Sequence, residues 1–180
     1  DIFTDHEVLS STDDADLNIN VGTLDVSGGT FNVSDCIDIV DGTLTQSGGT
    51  INIRYYNGSA NNNEDKLEMA AGTLNLTAGT MNINGQASSL HSVDVASSVT
   101  VNANENHTIA IIDNTSGSNV QNRSINMGGT NSIGGLSYNL SGKNLSFEGN
   151  HTLLGPLTIS NGTVQSNDAS EKITVASISQ

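Results

Sequence analysis

Apolar and polar residues alternate in short bursts along this chain. Leu24 and Val26, Phe31 and Val33, Ile37 and Ile39, Ile51 and Ile53, Leu74 and Leu76, and Met81 and Ile83 each stand two apart with one polar residue between them. A period of two over a few residues, closed by Gly or Asn, predicts a short strand with one face turned inward. The helical period never appears in these segments, and Gly recurs about every seven residues, so they do not read as helix.

The bursts belong to a recurring phrase. Gly22-Thr23-Leu24-Asp25-Val26-Ser27-Gly28-Gly29-Thr30-Phe31-Asn32-Val33 returns at 42–53 and again, more loosely, at 72–83. Self-similarity of this kind signals stacked units. The Gly-Thr steps at 22 and 29, 42 and 49, and 72 and 79 are seven residues apart, leaving about four residues of strand and three of turn. Strands so short and so closely spaced cannot form a hairpin meander and keep every apolar residue on one side. They can form successive sides of a coil, with Cys36-Ile37-Asp38-Ile39-Val40 as a third side.

The predicted fold is therefore all-β, a parallel β-helix (solenoid) with three short strands per coil. The step from Gly22 to Gly42 is 20 residues and that from Gly42 to Gly72 is 30; the surplus falls in 54–65, a Tyr-, Asn- and Gly-containing segment that reads as a loop thrown out at one corner. Residues 1–180 form one domain. Residues 1–15 are a cap or lead-in, 16–95 the regular coils, and 96–180 less regular coils in which short alternating runs persist to Val175. About seven coils at the spacing of paired strands make a rod of roughly 35 Å. Columns such as Leu24/Leu44/Leu74 and Phe31/Ile51/Met81 should carry the stability, so Ile51→Asp should unfold a neighbourhood and Asn52→Ser should hardly register.

Composition supports thin layers over a sphere. Leu, Ile, Val and Phe make up 44 of 180 residues, little above the level at which disorder becomes the better expectation; a coil buries nearly all of them because each is covered above and below by its copies. The net charge of −14, with Arg54, Lys66, Arg123, Lys143 and Lys172 the only cations besides His, argues against nucleic acid. No apolar run approaches the ~20 residues that cross a bilayer as a helix, so membrane insertion is not expected. Cys36 is the single cysteine and reads as a small corner residue. The chain starts at Asp1 without Met, and its last apolar pattern runs nearly to Gln180, as in a piece of a longer chain.

The string Gly-Thr-Leu-x-x-Ser-Gly-Gly-Thr-x-Asn-Ile/Val at 22–33 and 42–53 resembles the repeats of secreted bacterial parallel β-helix proteins, the surface and adhesin-like kind. The likeness is strong over 16–95 and weak beyond 96. It implies a right-handed coil, export to the cell surface or outside the cell, and a place in a longer protein. It carries over no active-site residue.

Outward positions repeat as well. Thr23/Thr43/Thr73, Thr30/Thr50/Thr80 and Asn32/Asn52/Asn82 should form rows of short polar groups, a candidate binding ladder for a polysaccharide or for ordered water. Tyr55 and Tyr56, in the 54–65 segment, are a candidate glycan contact. Asp38, Glu68 and Asp94 fall at the middle of the third strand in successive coils. Carboxylates in register repel unless bridged, which makes Ca²⁺ the one cofactor with candidate ligands, although no calcium-loop motif occurs and no other cofactor is indicated. The four His are scattered, Trp is absent, and no catalytic signature stands out. The expected function is a non-enzymatic extracellular structural or adhesive module whose partners are a glycan or copies of itself end to end. Its rivals are a carbohydrate-active β-helix enzyme, either a polysaccharide lyase or a glycoside hydrolase, and an ice-binding module.

Overall fold

The computed structural model describes residues 6–7, 17–33, 36–53, 66–84, 91–112, 122–128 and 131–180. Its strands wind as the repeat requires. β1 (His6–Glu7) and β2 (Leu17–Ile19) open the stack, followed by β3 (Thr23–Val26), β4 (Thr30–Val33) and β5 (Ile37–Ile39). β6 (Gly42–Ile53) runs along two sides before β7 (Leu67–Met69), and β8 (Gly72–Asn84) does the same before β9 (His91–Val95). β10 (Thr100–Ala103), β11 (His107–Ile112) and β12 (Arg123–Asn126) make the next winding, then β13 (Ser132–Ile133) and β14 (Gly135–Glu148). β15 (His151–Ser166) spans three sides and β16 (Ile173–Ser179) two.

Every pairing among these strands is parallel, and each joins a strand to its counterpart one winding away. On the second side the register runs Phe31, Ile51, Met81, Ile109, Leu136, Leu157, Ile178. A parallel partner 20 or more residues away, reached by a crossover, cannot belong to a hairpin sandwich. The first and third sides each hold seven strand segments and the second side eight, a little over seven windings. The described residues contain no helix long and apolar enough to cross a membrane.

Period-two patterning decides what lies inside. β3 reads exposed–buried–exposed–buried, and β5 and β7 buried–intermediate–buried. Leu44, Ile51, Leu74, Met81, Ile109 and Ile125 are wholly inaccessible. Leu24, Leu44 and Leu74 stand directly over one another, as do Phe31, Ile51 and Met81. Each such residue gains about 1.5–3 kcal/mol on burial, and the column replaces the core that a sphere of this composition would lack. Cys36 is buried beside this core, with its carbonyl accepting from the Leu17 amide.

Glycine sets the corners. Gly72 has φ +103°, and a Cβ there would lie 1.9 Å from the Gly42 carbonyl oxygen; the backbones of successive windings touch, and no side chain fits. Coil lengths along the second side are 20, 30, 28, 27, 21 and 21 residues. In the three longest windings that start there, the extra residues enter between the second and third sides, at 54–65, 85–90 and 113–121. Segment 54–65, with Tyr55 and Tyr56, lies outside the described residues, as do residues 1–5 and 8–15 of the lead-in.

Candidate functional site

The predicted ladders exist. Thr23, Thr43 and Thr73 are in register on the first side, with Thr100 continuing them. Thr30, Thr50 and Thr80 are in register on the second side, continued by Thr108, and Asn32, Asn52 and Asn82 run beside them. The two residue types behave differently. Asn52 donates from Nδ2 to Asn32 Oδ1 at 2.8 Å, and Asn82 donates to Asn52 Oδ1 at 2.8 Å. On the first side Asn102 donates to Asn75 Oδ1 at 2.8 Å and Asn75 to Thr45 Oγ1 at 3.1 Å. Asparagine amides therefore satisfy one another up the stack. Asn52→Ser removes a group that both donates and accepts, so the near-silence expected from sequence gives way to a measurable cost. The threonines of the two columns make no such bonds with described residues.

Asp38, Glu68 and Asp94 share one column on the third side, continued by Asn126 and Glu148. Lys66 Nζ sits 2.5 Å from Glu68 Oε2. Asn126 donates to Asp94 Oδ1 at 3.0 Å, and His91 Nε2 donates to Glu148 Oε1 at 3.0 Å. Repulsion along the column is thus relieved by a cation, an amide and an imidazole. No three His, Cys, Asp or Glu side chains among the described residues converge as a metal site. The geometry explains why: a column supplies one carboxylate per winding, all pointing the same way, whereas Ca²⁺ gathers six to eight oxygens around a point.

The buried polar groups are what the sequence reading missed. Gln46 stands at an inward position between Val26 and Leu76 and is fully inaccessible. Its Nε2 donates to the Thr80 carbonyl at 3.0 Å and more weakly to that of Gly49 at 3.4 Å. With the amide so oriented, Oε1 accepts from His107 Nε2 at 2.9 Å, which fixes the Nε2–H tautomer and leaves Nδ1 buried without a partner. His107 pairs with Gly79 in the ladder, and Gln46 Nε2 passes 2.9 Å from where a Gly79 Cβ would be. The bare glycine lets the amide reach two windings up. Burial holds the His107 pKa down at about 4.

Arg123 also points inward, with Nε donating to Ser92 Oγ at 2.8 Å and Nη2 to the His91 carbonyl at 3.2 Å. Tyr138 is fully buried, and its hydroxyl has no partner. Burial pushes its pKa up to about 12, against a downward pull from Arg123. Tyr138 closes the second side and Arg123 opens the third, near enough for the guanidinium to act on the phenol, whereas Gln46 and His107 meet at the corner between the first and second sides. The only sequence signal for them was a break in alternation, as at Gln46 where its counterparts are Val and Leu.

No family model, no curated protein and no solved structure matches this chain.

Proposed function

We propose that the chain is a non-enzymatic structural and adhesive module of a secreted or cell-surface bacterial protein, a rigid β-solenoid spacer that presents flat polar sides outside the cell. The observation that carries this reading is the column of like residues in register on each side. Such a stack is stiff, because every winding is bonded to its neighbours along all three sides, and its surface is a repetition of short side chains. Hydrolysis or elimination on a sugar needs acid and base groups brought together at about 5–9.5 Å across the scissile bond. The outward carboxylates of the third side instead run along the rod, with Glu68, Asp94 and Glu148 engaged by Lys66, Asn126 and His91. Lysine scarcity, Asn/Thr richness and a lone buried Cys36 fit a chain that works outside the cell without a disulfide.

The test is incubation of the purified protein with acidic and neutral polysaccharides, reading reducing ends and unsaturated products, alongside small-angle scattering for shape. An elongated particle with no product release supports the reading. Catalytic turnover on any substrate would overturn it.

A further inference from the structure

Charge is unevenly distributed round the coil. Asp38, Glu68, Asp94 and Glu148 share the third side, and Asp25 lies on the first. On the second side, β4, the later halves of β6 and β8, β11, and the parts of β14, β15 and β16 paired with them carry no outward ionisable side chain through seven windings. In that ladder Glu7 of β1 pairs with Asn32, one winding before β4. A neutral side this long is notable in a chain of net charge −14.

Its chemistry is graded along the rod. Thr30, Thr50, Thr80 and Thr108 form a column whose hydroxyls make no hydrogen bond with described residues. The adjoining Asn32, Asn52 and Asn82 spend their amides on one another and hold the surface flat. Further along, Gly135 and Pro156 continue the Thr column, and Ala110, Ser137 and Thr158 continue the Asn column. Ala110 and Gly135 are buried, so the same face offers unspent hydroxyls with the exposed Pro156 ring as its apolar contact.

We propose that this second side binds an uncharged polysaccharide, the sugar hydroxyls meeting the Thr30–Thr108 column and the C–H face of a ring lying on the exposed Pro156. The inference rests on the adhesive reading above and names its ligand class and its face. A polyanion is repelled by the net charge, and a polycation is drawn to the acidic third side. A second copy of the chain is disfavoured by area. Seven windings and the two outward columns cover about 29 by 7 Å, so two such faces bury roughly 400 Å² in total, short of the ~1,000 Å² a specific interface needs. A long sugar polymer gains instead from repeated weak contacts along its length.

Affinity electrophoresis through gels containing laminarin, mannan or dextran, with alginate as the anionic probe, tests this. Retardation is expected with at least one neutral probe and none with alginate. Thr50→Glu/Thr80→Glu should cut the apparent affinity about tenfold, whereas Thr43→Glu/Thr73→Glu, of equal charge on the first side, should leave it unchanged. Thr50→Val/Thr80→Val, which keeps shape and strand preference, should weaken binding in the same direction should the charged pair fail to fold. The proposal fails if no neutral probe retards the protein, if alginate does so more strongly, or if the two charged pairs act alike. Reducing-end release in the same mixtures would defeat the non-enzymatic reading instead, so the two failures are distinguishable.

Discussion

Acid should loosen the corner where Gln46 meets His107, by an amount the structure lets us calculate. His107 is buried with its Nε2–H given to Gln46 and a bare Nδ1, and its pKa is held down at about 4 against an ordinary 6.5. The folded state therefore favours the neutral ring, while the unfolded chain binds a proton once the pH falls below 6.5. Between those values the unfolded state holds more protons, so stability falls as the pH falls. At 1.36 kcal/mol per pK unit, the loss attributable to His107 between pH 7 and pH 4 is roughly 3 kcal/mol, nearly complete once the folded ring itself titrates. His107→Gln keeps a donor for Gln46 Oε1 and cannot titrate. Urea unfolding followed by circular dichroism at several pH values, on wild type and this variant, gives the comparison. The wild type should lose about 3 kcal/mol more than the variant over that range. Equal pH dependence in the two proteins would refute the assigned burial and tautomer.

Other substitutions probe the stack. Ile51→Asp places a charge in a fully inaccessible column and should abolish cooperative melting, whereas Asn52→Ser, at the middle of the amide ladder, should cost about 1–2 kcal/mol in chemical denaturation. Tyr138→Phe deletes a buried hydroxyl without a partner; denaturant titration should show unchanged or greater stability, by up to about 1 kcal/mol. Gly72→Ala must place a Cβ 1.9 Å from the Gly42 oxygen at a positive φ, and a thermal melt should show a loss well beyond the roughly 1 kcal/mol of an unstrained Gly/Ala exchange.

The winding was legible because its signal is repeated. Leu24, Leu44 and Leu74 announce one column three times, and the Gly-Thr steps mark the corners that the structure places one over another. The direction in which each strand faces followed from period two alone. The polar interior was not legible, because each buried polar group occurs once. Gln46 reads only as a polar break in an inward row until Gly79 is seen to leave room for its amide to reach His107, 61 residues later in the chain. The carboxylate column could be placed from sequence, yet its relief depends on side-chain geometry within one winding for Lys66, across one step for Asn126 and across two for His91. Asn52 shows the same gap on the surface: its row was predicted, and its hydrogen bonds required the distance between windings.

In-register stacking of successive windings is tested most directly by cross-linking. With Cys36→Ser removing the native thiol, Thr45→Cys/Asn75→Cys places two outward cysteines at paired positions on adjacent windings, at the strand spacing of about 4.8 Å and within reach of a disulfide. Oxidation of the native protein should close this intramolecular link rapidly, while Thr45→Cys/Asn102→Cys, two windings apart, should not close. A link that forms in neither pair, or equally in both, would contradict the stack.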